Sequence, residues 1–96
     1  MFELTLTPEG GLRLAGQATI DHAAELRERL LASVDGLSPE AALDLSALEA
    51  LDAAGAQLLL ALRRRVPLRV AGLPPPIRAW LDETALAGPL LSPEAP

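Results

Sequence analysis

The apolar residues of this chain change their period just after the second of two alternating runs, and that change constrains the fold more than any other feature. "FELTLT" and "LRLAG" place apolar residues in steps of two, with Pro8 and the pair Gly10-Gly11 between them. Two such runs around a Gly-containing turn predict an antiparallel hairpin. From Asp21 to Val34 the spacing lengthens. Ala23, Leu26, Leu30 and Val34 recur at helical intervals, with Glu25, Arg27, Glu28 and Arg29 between them. This stretch predicts an amphipathic helix with Thr19 or Asp21 as its cap.

"AALDL" follows as a nearly continuous apolar run, suited to a strand buried on both faces of a parallel sheet. The next segment has two competing readings. Ser46 with Glu49 three residues on fits a capping box, which starts one long helix at Ser46. Asp52 is the other start, with Leu58, Leu59 and Leu62 on the buried face. Asp52 is preferred, because Gly55 is better tolerated in a first turn than in a helix interior. Pro67 ends this helix, "LRVAG" reads as a strand, and "LPPP" leads into a helix with Ile77, Trp80 and Leu81 on one side. The order β-β-α-β-α-β-α, with right-handed parallel crossovers, predicts an α/β domain. A mixed β-sheet flanked by helices is expected over residues 1–88, with a C-terminal tail at 89–96.

The chain has 96 residues, half of them apolar, with one Phe and one Trp. That is enough for one small core, built from Leu, Val, Ile and Ala rather than aromatic rings. The net charge of −5 argues against a nucleic-acid partner. Arg63, Arg64 and Arg65 form a local basic run, read as the solvated last turn of a helix where cations complement the dipole. With no cysteine there is no disulfide framework, thiolate metal site or Cys nucleophile. "MFELTLTPEGG" lacks the pattern of a signal peptide, and no apolar run reaches the roughly 18 residues of a bilayer span. A soluble, cytoplasmic protein without direct membrane insertion is expected.

Chemistry-bearing patterns are nearly absent. The single histidine, His22, adjoins Asp21, but sequence neighbours on a helix do not face each other, so no dyad is implied and a surface histidine is expected. There is no Gly-x-Ser-x-Gly elbow, His-Glu-x-x-His or Gly-x-x-x-x-Gly-Lys-Ser/Thr loop. The expectation is a non-enzymatic domain with no cofactor and no metal site.

"LRLAGQATIDHAAELRERLL" followed by "ALDLSALEALDAAGAQLLLAL" resembles the STAS domain, shared by anti-sigma factor antagonists and the cytoplasmic ends of sulfate transporters. Gly16, Thr19, Ala24, Asp44, Leu45, Ser46, Asp52 and Gly55 carry the resemblance, which covers roughly residues 3 to 88. In detail the chain is most similar to stand-alone STAS proteins of bacterial chemotaxis clusters, which read Asp-Thr-Ala-Gly before Gln-Leu-Leu-Leu. A second similar group is the small STAS subunit of an ABC transporter that maintains outer-membrane lipid asymmetry.

The resemblance implies a protein-interaction module in bacterial signalling. In antagonists of the family the residue after the Asp is a Ser or Thr phosphorylated by a partner anti-sigma kinase; here it is Ala53, which cannot accept phosphate. A constitutive binder is implied, with Asp52, Ala53, Ala54, Gly55 and Ala56, joined by Thr19 and Asp21, as the partner-binding set. The implied partner is a kinase-like anti-sigma factor or a chemotaxis component. The alternatives are an ABC ATPase, with this chain as its accessory subunit, and a nucleotide- or lipid-sensing role.

Overall fold

The structure is a computed structural model that describes residues 1–85 together with 88 and 90. Strands β1 (Phe2–Leu6) and β2 (Leu12–Ala18) form the expected antiparallel hairpin, with Leu4 opposite Leu14 and Leu6 opposite Leu12. A 3-10 turn at Ile20–His22 leads into α1 (Ala23–Ser33). Then come β3 (Ala42–Asp44), β4 (Leu48–Leu51), α2 (Ala53–Arg65), β5 (Arg69–Ala71) and α3 (Pro75–Glu83). The order β1-β2-β3-β5 makes one mixed sheet, and β4 joins it by pairing with β2.

The strand at Leu48–Leu51 was not expected, and its origin is local. β3 and β4 both lie parallel to β2, one against its first half and one against its second. They are two pieces of an interrupted strand. Between them Leu48 N–H turns back to the Leu45 carbonyl at 3.0 Å, and Ser46 N–H donates to Asp44 Oδ1 at 2.9 Å. Ser46 therefore starts no helix, which corrects the capping-box reading. The register of β2 slips between Gly16 and Gln17 to serve both partners. Gly16 sits there at φ +90, with space for a Cβ taken by the Met1 carbonyl oxygen 2.4 Å away, so the slip needs glycine.

The core lies on one face of the sheet. Leu12, Leu14 and Leu43 point into it and meet Leu26 and Leu30 of α1, Leu59 and Leu62 of α2, and Leu81 of α3. The opposite sheet face carries Thr5, Arg13, Gln17 and Arg69, all exposed. β3 is accordingly buried on one face only, not two: Asp44 points to the open side, where its carboxylate lies 3.8 Å from Arg13 on the neighbouring strand. Leucine supplies most of the core, while Phe2 and Trp80 pack against its margin. On α2 the buried set is Gly55, Ala56, Leu59, Leu60 and Leu62, so Leu60 replaces the expected Leu58, which is only partly covered. Of the tail expected at 89–96, Leu90 is described and fully buried; 89 and 91–96 lie outside the described residues.

Gly55 marks the closest approach of α2 to the sheet. A Cβ built there would lie 1.9 Å from the carbonyl oxygen of Ala18, a backbone atom that cannot move aside. At an exposed helical position Gly→Ala stabilises by up to about 1 kcal/mol. Here the opposite sign is expected: Gly55→Ala should destabilise by about 1–3 kcal/mol through overpacking, read as a lower midpoint in denaturant unfolding.

Candidate functional site

Asp52 is the residue around which the candidate site is built. It stands at the N-cap of α2 in extended conformation, and its Oδ1 accepts the Gly55 N–H at 3.0 Å. Its Oδ2 accepts the Ile20 N–H at 2.8 Å, across 32 residues of chain. One carboxylate thus caps α2 and fastens the turn that precedes α1. The Asp52 N–H points to the Ala18 carbonyl at 3.4 Å, which holds the same two segments together from the backbone side.

This geometry corrects the expected cap of α1. Neither Thr19 nor Asp21 caps it through a side chain; Thr19 precedes the 3-10 turn, and His22 precedes the α-helix without a side-chain cap bond. The Ile20 N–H, which a local cap would have taken, is satisfied by Asp52 instead. Asp21 projects into solvent. His22 stands with Nε2 2.7 Å from the Met1 amino nitrogen and its ring edge-on to Phe2, so it takes no part with Asp21.

The structure divides the residues that sequence reasoning grouped together. Ala53 is exposed, Asp52, Ala54 and Thr19 are partly exposed, and Asp21 is exposed. Gly55 and Ala56 are buried against the domain itself and form the seat of the helix rather than its outer edge. One residue was missed. Ile20 is 68% exposed, beside Asp52, and makes this edge apolar as well as acidic. In sequence an isoleucine between a strand and a helix reads as core, and only the bond that turns its backbone toward Asp52 reveals otherwise.

The first-turn donors of α2 hold the Asp52 carboxyl below its ordinary value, the Gly55 N–H foremost, with burial opposing and the Ile20 N–H assisting. Asp44 is lowered in a similar way, by the Ser46 backbone and side chain first and by Arg13 last. Among the described residues, no group of three or more His, Cys, Asp or Glu could hold a metal ion. No described helix is long and apolar enough to cross a membrane. The basic run at the far end of α2 also divides. Arg63 turns inward, donating to the carbonyls of Leu68 and Leu90, while Arg64 and Arg65 remain exposed.

Comparison with known proteins adds three findings. The family model described as "Mlab, STAS domain" matches residues 4–92. Among solved structures, the chain is similar to the anti-sigma factor antagonist SpoIIAA in its unphosphorylated form, with a TM-score of 0.63 at 13% identity, covering 85% of this chain and 82% of that one. No curated protein matches the sequence.

Two measurements check the role of Asp52. Removing the side chain with Asp52→Ala should cost about 1–2 kcal/mol from the cap, plus the loss of the Ile20 anchor, in equilibrium unfolding. The folded-state pKa is below the ordinary 3.8, so the stabilisation is present above that value and is lost as pH falls through the lower folded one. Wild-type stability should decline on acidification below about pH 4, and Asp52→Asn should flatten part of that decline. An unchanged acid profile in Asp52→Asn would remove the carboxylate from the account.

Proposed function

The chain belongs to the STAS domain family, and on that premise we propose that it is a non-catalytic protein-interaction module whose partner meets the edge formed by Ile20, Asp21, Asp52 and Ala53. The observation that carries this reading is Ala53: it is exposed at the first position of α2, directly after the capping Asp52 and beside the exposed Ile20. Single exposed apolar residues are common on protein surfaces. An isoleucine held outward by a side-chain bond, next to a flat pair of alanines and two carboxylates, is a surface that a partner can cover without moving the backbone.

The family resemblance gives position 53 to a phosphorylatable residue in antagonists. A phosphate there would sit at the helix N-terminus, where free N–H groups favour it, yet would bring about two negative charges beside Asp52 and against any apolar partner surface. Ala53 permanently keeps the uncharged form. The proposed module is therefore a constitutive binder with no phosphorylation switch at this site, acting in the cytoplasm of a bacterium.

Two partner classes fit such an edge. An anti-sigma factor is in keeping with the likeness in fold to the anti-sigma factor antagonist SpoIIAA, while its kinase-like character and the alternative of a chemotaxis component rest on the sequence resemblance. An accessory role, binding the ATPase of a lipid-transporting ABC system, is favoured by the family's description as Mlab. The test is a pull-down from the source lysate with wild type beside Ala53→Glu, the captured proteins identified by mass spectrometry. A kinase-like or chemotaxis protein retained by wild type and lost with Ala53→Glu would support the first partner. Capture of an ABC ATPase with the same loss would support the second. Equal capture by both baits, or none, would overturn the edge as a binding site.

A further inference from the structure

The two ends of the helix layer carry complementary surfaces. β2 is parallel to β3 and β4, so α1 and α2 start at the same end of the sheet and run the same way. The Asp52–Ile20 bond holds those two starts together. Toward their C-terminal halves lies a groove of about 160 Å³, lined by Leu31, Val34, Leu58 and Leu62 and flanked by Arg27 on α1 and Arg65 on α2. Leu31 is 43% exposed there.

Charge and size say what the groove can take. Neither Arg27 nor Arg65 has a hydrogen bond or ion pair among the described residues, and neither has a carboxylate three or four positions away on its own helix. Arg78, by contrast, is paired with Asp82 one turn on. The groove therefore presents two free cations around an apolar floor in a chain of net charge −5. A cavity of about 150 Å³ holds a benzene-sized group, so one branched side chain fills this groove whereas a diacyl lipid does not fit. At the other end of the same helices stands a knob of that size and opposite charge: Ile20, with the unpaired Asp21 beside it and Asp52 behind it.

We infer that the groove between α1 and α2 seats Ile20 of a second copy of this chain, with Asp21 of that copy against Arg27 and Arg65. The contact is heterologous, since knob and groove are different surfaces. They lie at opposite ends of α2, which at 13 residues is about 20 Å long, so each copy can engage two neighbours and the assembly grows head to tail. Helix N-termini then face helix C-termini, which aligns the dipoles favourably. The pairing stands on shape and charge alone. Its regulatory consequence, that an assembled copy has no free edge for another partner, rests on the partner reading above.

Sedimentation equilibrium tests it. Wild type should show a weight-average mass that rises above the 10.1 kDa monomer with concentration, up to about 1 mM, as expected for a small interface. The association should weaken severalfold in about 0.5 M salt, where the free charges are screened. Ile20→Arg removes the knob and the double variant Arg27→Glu/Arg65→Glu reverses the groove; each should weaken self-association about tenfold or more while keeping the wild-type circular dichroism. Asp21→Arg, which leaves the apolar contacts in place, is the second knob variant should Ile20→Arg not fold.

The decisive sample is an equimolar mixture of Ile20→Ser, which removes the knob without adding charge, with the groove double variant. One retains a groove and the other a knob, so the mixture should form a dimer and nothing larger. A wild type that stays monomeric, an association that survives both variants, or a mixture that does not pair would each overturn the inference. So would saturable binding of octanoate in the groove of a monomeric chain, which would assign the groove to a small amphiphilic anion. The groove variant leaves the Ile20–Asp52 edge intact, so loss of self-association with partner capture preserved separates this inference from the proposed function.

Discussion

The bidentate use of the Asp52 carboxylate is the interaction on which the rest of the helix layer depends. A helix start leaves backbone N–H groups without partners, and a side-chain oxygen commonly satisfies one of them. Here one oxygen serves Gly55 in its own helix and the other serves Ile20 in the turn before α1. The starts of the two helices are therefore held together. Gly55 completes the arrangement, because only its missing Cβ lets α2 reach the Ala18 carbonyl at the end of β2. Capping, close packing and the outward presentation of Ile20 are consequences of the same few atoms.

That economy explains both what was legible in the sequence and what was not. Asp52 as the start of α2 was readable, since a capping residue followed by a first-turn glycine is a local signal. The cap of α1 was misread because its partner is 32 residues away, and no local pattern around Thr19 or Asp21 announces a bond from elsewhere in the chain. β4 was hidden for a similar reason. "LEAL" is too short to show a period, and Ser46 with Glu49 mimics a helix signal; its extended form comes from pairing with β2, a tertiary contact. The alternation of β1 and β2 and the helical spacing of α1 were plain because each repeats over enough residues to be counted.

The errors of burial have the same physical origin. Leu58 and Leu60 both lie within a leucine-rich run, and which of them enters the core depends on the rotation of α2, set by Gly55 and Ala56 against the sheet. "AALDL" looked doubly buried because its apolar run is continuous. The sheet nevertheless has one open face, and small Ala42 with the paired Asp44 can occupy it. Arg63 shows the reverse case: a residue in a charged run turns inward, because carbonyls of Leu68 and Leu90 lie within reach of its guanidinium.

Net charge is a poor guide to such a surface. The overall −5 is what argued against a nucleic-acid partner, yet α2 is polarised along its axis. Asp21, Glu25 and Asp52 stand at the helix starts, and Arg63, Arg64 and Arg65 at the end of α2. On α2 this is the distribution that the helix dipole favours, whereas α1 has no basic residue in its last turn and α3 ends on Asp82 and Glu83. Along α2 an acidic end is thus set against a basic one, whatever the total. At the acidic end, Ala53 brings no anion to compete with the Asp52 carboxylate for the first-turn N–H groups of α2. The cap and the edge proposed for partner binding are then one structural state, and an added charge at position 53 would change the second only by disturbing the first.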